Sequence, residues 1–215
     1  MILEKYCSRE WLEFVEFHSQ TLNFKRKETV FTTGEATKGI YLIKDGKVKI
    51  TKNSGAGGER IIRLAKTDDF IGHRGFGGNW KYSITAHCLT DTSVLFIPMN
   101  IFETLVRSNP DFAYFMVMFF AEELRISENL ATTLPIKNQV ASAILKNYSA
   151  FGSDKKDKTK LSYTLSRKDL ASIVGTRYET VVRSLAEFKA EEIIELNAKD
   201  IHILDFEKLK EYANQ

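Results

Sequence analysis

The chain has only two cysteines, Cys7 and Cys88, in 215 residues. They make no Cys-x-x-Cys pair, so neither a disulfide framework nor a zinc-binding spacing is available, and a reducing cytoplasm is the expected compartment. Long hydrophobic runs are missing too. The most apolar stretch, Phe112 to Ala121, is too short to span a bilayer. The opening MILEKYCSREW sets charges among its apolar residues and has no hydrophobic core segment, so no signal peptide is expected. The four histidines are scattered, and no nucleophile, base and orienting residue fall at a recognisable spacing, so nothing marks an enzyme. There are only three prolines, each at a boundary. The chain turns helical after Pro98, Pro110 opens a long helix in its first turn, and Leu134-Pro135 breaks that helix.

What is present is ordinary for a two-domain globular protein: 43% hydrophobic and 27% charged residues, in a length that allows one larger and one smaller core. The net charge of +3 hides an asymmetry. Residues 137–189 hold 11 Lys and Arg against 5 Asp and Glu, whereas residues 190–215 hold 3 against 7. Positive charge therefore gathers on one segment, as phosphate binding requires. Within it, Lys155, Lys156, Lys158 and Lys160 stand in a Gly, Ser and Asp-rich loop and read as a solvated linker.

The informative stretch lies inside that basic segment: SRKDLASIVGTRYETVVRSLAEFK, from Ser166 to Lys189. Ser166 with Asp169 three residues on, and Thr176 with Glu179 three residues on, give two helix-start signals ten positions apart. Gly175 between them suits a left-handed helix end. Leu170 and Ile173 form one apolar face, and Val181, Leu185 and Phe188 another at i, i+4, i+7. Two capped amphipathic helices on a tight turn make a helix-turn-helix. Arg177, Tyr178, Glu179 and Arg183 point away from the second stripe, near the N-terminus of its helix, where a recognition helix meets base edges. Arg can donate two hydrogen bonds to guanine and Glu can accept from cytosine. The plainer alternative is that Glu179 and Arg183 are an i, i+4 surface pair contributing a few tenths of a kcal/mol.

The segment SRKDLASIVGTRYETVVRSL resembles the helix-turn-helix of the Crp/Fnr family of bacterial transcription regulators. The resemblance implies that Glu179 and Arg183 read bases, that Thr180 contacts phosphate, and that Tyr178 replaces the family's usual Arg and so shifts the operator. It extends along the chain. Gly34, Glu35, Ile40, Tyr41, Ile43, Gly46 and Val48 resemble the entry to the family's cyclic-nucleotide-binding domain. The implied fold is α+β: an N-terminal β jelly-roll domain over residues 1–108, a long dimerisation helix and hinge over 109–134, and a winged helix-turn-helix domain over 135–215. The implied partners are double-stranded DNA, a second copy of the chain and RNA polymerase, with no membrane and with the small-molecule effector unidentified.

The order of elements supports this reading. A helix is expected from about Ser8 to Thr21, with Trp11, Phe14, Val15 and His18 on its apolar side. Strands follow at Ile40–Ile43 and Val48–Thr51, where Asp45-Gly46 predicts a tight hairpin turn. A second hairpin joins Val48–Thr51 to Arg60–Leu64, and further strands are expected near Phe70–Ile71, Tyr82–Cys88 and Ser93–Ile97. The long helix, from Asn109 to about Thr133, carries Phe112, Phe115, Met116, Phe119, Phe120, Leu124, Ser127 and Ala131 on a seam wide enough to call for a partner helix. Lys137–Phe151 reads as the next helix. After the recognition helix, Ile193–Leu196 and Ile201–Leu204 form a wing, and a last helix begins near Phe206 with Asp205 as its cap.

The ligand question turns on Phe70-Ile71-Gly72-His73-Arg74-Gly75-Phe76. Cyclic-nucleotide-binding family members begin this cassette with Gly-Glu and end it near an Arg that neutralises the cyclic phosphate. Here the Glu position is His73, and the Arg position falls on Tyr82 or Ser83. No arginine occurs between Gly75 and Ile97. Arg74 is the one nearby cation, a residue out of place, and the family's base contacts on the long helix fall on Ser127 and Glu128. A phosphate without its cation in a semi-buried pocket loses several kcal/mol, so cyclic AMP is not the expected effector. The competing reading is a cyclic-nucleotide-binding signalling protein. No cofactor or metal is called for. A haem held by His73, His87 or Cys88 is the alternative, but His87 and Cys88 are strand neighbours facing opposite ways, and a core thiol with surface imidazoles explains them more simply.

Overall fold

The computed structural model describes residues 2–55, 58–128 and 134–214, with the side chains of Ser127 and Glu128 left out. The chain divides into two compact units, Met1–Lys52 with Ala65–Ala131, and Asn53–Leu64 with Thr132–Gln215.

The first unit opens with α1 (Ile2–Tyr6) and α2 (Arg9–His18). The expected helix from Ser8 is therefore shorter: it stops at His18, and Gln20–Phe24 becomes strand β1, paired antiparallel with β8 (Thr92–Pro98). The strand carries Thr21, Leu22 and Phe24, branched and aromatic residues that suit a pleated surface better than a helix end. The other strands are β2 (Thr29–Phe31), β3 (Gly39–Asp45), β4 (Lys47–Asn53), β6 (Phe70–Ile71), β7 (Thr85–Cys88) and β5 (Glu59–Lys66), most of whose residues are grouped with the second unit. They form two four-stranded sheets, ordered β1-β8-β3-β6 and β2-β7-β4-β5.

That order corrects the hairpin expected at Asp45-Gly46. β3 pairs with β8 and β6, while β4 pairs with β7, so the two strands either side of Gly46 lie in different sheets. Gly46 is where the chain crosses from one sheet to the other. It holds φ at 121°, and a Cβ there would stand 2.5 Å from Thr92 Oγ1, so only glycine fits the crossing. Asp-Gly signalled a tight reversal correctly but could not say which strands it joined.

Beyond the sheets come α3 (Met99–Ser108) and α4 (Pro110–Glu128). Asn109 Oδ1 accepts a 3.0 Å hydrogen bond from the Phe112 amide, and Pro110 takes the first helical position, as expected. The predicted end near Thr133 lies outside the described residues. Ile101, Phe102 and Leu105 of α3 with Phe112 and Met116 of α4 close over Ile40, Leu42, Phe70, Leu95 and Ile97 of the strands. This is the larger core.

The second unit holds α5 (Ile136–Phe151), α6 (Arg167–Val174), α7 (Tyr178–Ala190), β9 (Ile194–Asn197), β10 (Asp200–Ile203) and α8 (Phe206–Asn214). Val140, Ala141, Ile144, Leu170, Val181, Leu185, Phe188, Ile201 and Leu209 are all buried in it. β9 and β10 pair with Asn197 opposite Asp200, which is the expected wing. Asp205 caps α8, accepting a 2.9 Å bond from the Lys208 amide. The lysine-rich loop is more than a solvated linker. Lys160 bridges to His202 beside β10 and pairs with Asp200 at 2.6 Å, while Asp154 accepts from the Lys156 amide at 2.8 Å.

Candidate nucleic-acid interface and effector pocket

The start of α6 forms as its sequence demands. Ser166 Oγ accepts from the Asp169 amide at 3.1 Å and donates to the Asp169 carboxylate at 2.6 Å. Gly175 closes the helix in the left-handed region, at φ 77° and ψ 35°. The start of α7 differs from expectation. The cap is Arg177 rather than Thr176, in extended backbone and with no side-chain capping bond. Thr176 is still part of the turn, its amide donating to the Ala171 carbonyl at 3.0 Å, so the Thr176–Glu179 capping box does not form. Glu179 is left facing outward.

Rotation of α7 about its axis is fixed by Val181, Ser184, Leu185 and Phe188, all buried. Arg177, Tyr178, Glu179, Val182 and Arg183 are consequently exposed, and Thr180 is half-buried. Glu179 and Arg183 are one turn apart, and among the described residues no ion pair joins them. Four predicted reading residues thus gather on the first turns of one helix, close to the free amides and positive dipole end that favour phosphate. Val182 is also exposed on this face, an apolar side chain among polar ones. Arg167, the first residue of α6, donates to the Lys199 carbonyl at the wing turn and so ties the wing to the helix pair.

In the first unit the cassette adopts a single 3-10 turn, His73–Gly75, after Gly72 at φ 84°. His73 is no surface imidazole. It is 1% exposed, its ring lies against Phe119 and Phe120 at 4.8 and 5.6 Å, and Nε2 is 3.5 Å from Glu123 Oε2. Arg74 Nη2 donates to the same Glu123 oxygen at 2.8 Å. The single cation of the cassette is therefore already matched by a carboxylate from α4. Glu123 escaped the sequence reading because nothing local links it to residue 74.

Tyr82, one of the two positions on which the family's arginine was expected to fall, is 3% exposed. Its ring stacks on Phe31 at 4.3 Å, and its hydroxyl donates to the Gly39 carbonyl at 2.9 Å. Burial pushes its phenol far above the usual tyrosine range, so it brings no charge. A Cβ on Gly72 would meet Tyr41, Tyr82 and Phe31 within 3.5 Å, so this aromatic trio packs directly against the cassette backbone. Ser83 is exposed. Ser127 and Glu128 fall in the last turn of α4, with side chains outside the described residues. His87 Nδ1 is 3.0 Å from Thr29 Oγ1, while Cys88 is buried, so the two face opposite ways. Burial pushes the Cys7 thiol up to about 11, the protonated form at neutral pH. No group of three His, Cys, Asp or Glu residues suited to a metal ion occurs among the described residues.

Residues 21–109 match the cyclic nucleotide-binding domain family, and residues 138–212 match the Crp-like helix-turn-helix domain family. The chain belongs to the Crp/Fnr family. It is a DNA-binding transcription regulator of that family. Among similar proteins, the CRP-like cAMP-activated global transcriptional regulator of Mycobacterium tuberculosis is 26% identical over 90% of this chain and 88% of its own length. The transcriptional activator Anr of Pseudomonas protegens is 23% identical over 84% of this chain and 75% of its own. A Crp/Fnr-family regulator from Thermus thermophilus superposes with a TM-score of 0.73 at 26% identity, covering 91% of this chain and 99% of that one. FixK2 from Bradyrhizobium japonicum, at 20% identity, shares the fold with a TM-score of 0.79 over 90% of this chain and 96% of its own. No helix among the described residues is long and apolar enough to cross a membrane.

Proposed function

We propose that this Crp/Fnr regulator acts in the cytoplasm as a homodimer on an inverted-repeat operator, and that cyclic AMP is not its effector. The two faces of α4 carry the proposal. One face, Phe112, Phe115, Met116, Phe119 and Phe120, packs into the β-domain core and brings Glu123 onto Arg74. Most of the seam read from sequence as a partner surface is thus occupied within the chain. The other face leaves Tyr114, Val117, Met118 and Leu124 exposed, each by more than half. An apolar stripe over three turns of an exposed helix suits burial against a second copy. A dimer sets two recognition helices about 34 Å apart, one turn of DNA.

The same helix supports the reading of the pocket. A cyclic phosphate needs an unengaged cation, and Arg74 is held by Glu123 while neither Tyr82, which is buried, nor Ser83 brings a positive charge. Displacing Glu123 would strip a carboxylate of its partner inside a largely buried site. Arg177, Tyr178, Glu179 and Arg183 read bases and Thr180 touches the backbone, with RNA polymerase as the further partner. The M. tuberculosis relative is named as cAMP-activated; this chain lacks the two side chains such binding asks for.

Isothermal titration of the purified protein with cyclic AMP and cyclic GMP tests this, alongside sedimentation to fix the number of copies. No heat from either nucleotide is expected. A dissociation constant near 1 μM, roughly 8 kcal/mol, would overturn the pocket reading and favour a cyclic-nucleotide signalling protein.

A further inference from the structure

The outward side of α7 carries two kinds of residue. Glu179 and Arg183 make a charged row one turn apart. Beside them Tyr178, Val182 and Ala186, at i, i+4 and i+8, make an apolar row, and all three are exposed. Tyr178 is 46% and Val182 41% accessible, while Val181 and Leu185 on the other side are at 0% and 1%. The apolar row is therefore not a part of the core that drifted outward. It belongs to the base-reading face, bounded by Arg177 and Arg183, and neither the Tyr178 nor the Val182 side chain makes a ring contact or hydrogen bond among the described residues.

Apolar side chains at i and i+4 stand roughly 5–6 Å apart and can grip one small apolar group between them. In the major groove of DNA the only such group on a base edge is the 5-methyl of thymine; every other feature there is a hydrogen-bond donor or acceptor. We propose that Tyr178 and Val182 together read a thymine methyl, next to the base pair read by Glu179 and Arg183. The inference rests on α7 being the recognition helix. It adds a specificity-determining residue, Val182, and a definite chemistry for Tyr178, which stands where the family has an arginine that reads by hydrogen bonds. The operator then carries a T·A pair in each half-site whose methyl group matters, beside a C·G or G·C pair.

Removing the methyl without changing base pairing isolates the contact. The operator is first selected from random DNA with the full chain. Each thymine is then replaced by deoxyuridine, symmetrically in both half-sites, and binding is followed by fluorescence anisotropy. One position should weaken about fourfold for each methyl lost, or roughly 15-fold for the pair, the equivalent of about 0.8 kcal/mol per methyl. Val182→Ala should bind the thymine operator more weakly and lose most of the distinction between thymine and uracil at that position. Val182→Thr, which keeps one methyl, should retain part of it. Circular dichroism melting establishes that each variant is folded, and Val182, being exposed, can be changed without opening the core.

The proposal is overturned if no thymine is sensitive to loss of its methyl, or if Val182→Ala discriminates thymine from uracil as well as the wild type. A selection that enriches no sequence at all would instead reject α7 as a recognition helix, and this inference with it. The two failures are thus distinct.

Discussion

Glu123 Oε2 accepts a 2.8 Å hydrogen bond from Arg74 Nη2, joining a helix to the turn in which family members hold a ligand phosphate. Glu123 is 12% exposed and Arg74 29%, so the pair is shielded on one side and wet on the other. Glu123→Gln keeps the shape and removes the charge. It should lower stability by about 1–2 kcal/mol, at the low end for charged hydrogen bonds because of that exposure, as read from urea unfolding. It should not create cyclic AMP binding, because neither Tyr82 nor Ser83 supplies a cation. Nucleotide heat appearing in the Gln variant would mean that Glu123 alone keeps the pocket closed.

Arg183 has no ion pair or side-chain hydrogen bond among the described residues and faces outward from a helix whose other face is locked in the core. Arg183→Ala should cost about 1–3 kcal/mol on the selected operator while non-specific binding stays nearly intact. An anisotropy titration in which both fall together would make Arg183 a phosphate contact.

Val117 and Met118 sit in the middle of the exposed stripe of α4. Replacing both by Glu should convert a dimer to a monomer in sedimentation without lowering the melting temperature of the first unit, since neither side chain belongs to its core. Operator affinity should drop at least about tenfold, because the second half-site then binds as a separate event. A double variant that still sediments as a dimer would place the interface elsewhere.

In the second unit, Lys137 Nζ lies 2.5 Å from Glu191 Oε1, and Tyr212 donates to Glu191 Oε2 at 2.8 Å. Hydrogen bonds from Lys137, and then from Tyr212, hold the Glu191 carboxyl below its ordinary 4.5. A depressed carboxylate contributes stability that is fully present above its unfolded value and is lost as pH falls through the folded one. The urea midpoint should therefore drop as pH is lowered from 5 towards 3, more steeply than in Glu191→Gln, which removes this titration. Parallel curves for the two proteins would show that Glu191 does not contribute.

The helix-turn-helix was legible in the sequence because its signals are local. Ser166 and Asp169, three residues apart, cap the start of α6, Gly175 ends it, and a 3.6-residue period says which side of α7 is buried. Even there Thr176 misled: two residues could cap α7, and the hydrogen bond of the Thr176 amide to Ala171, a matter of turn geometry, decided for Arg177. The wing and the cap at Asp205 were legible for the same reason.

Strand partnership was not. Whether Asp45-Gly46 folds β3 back on β4 or sends the chain to the other sheet depends on β7 and β8, about forty residues on, and no dipeptide encodes that. The pocket shows the same division. Sequence alone determined which residues stand at the cassette: His73 beside Arg74, and no arginine between Gly75 and Ile97. Only tertiary structure decided what stands there instead: a glutamate from forty-nine residues beyond Arg74, and a tyrosine stacked on Phe31. Absence of a side chain is a property of one position, but occupation of a cavity is settled by whichever distant groups the packing brings to it.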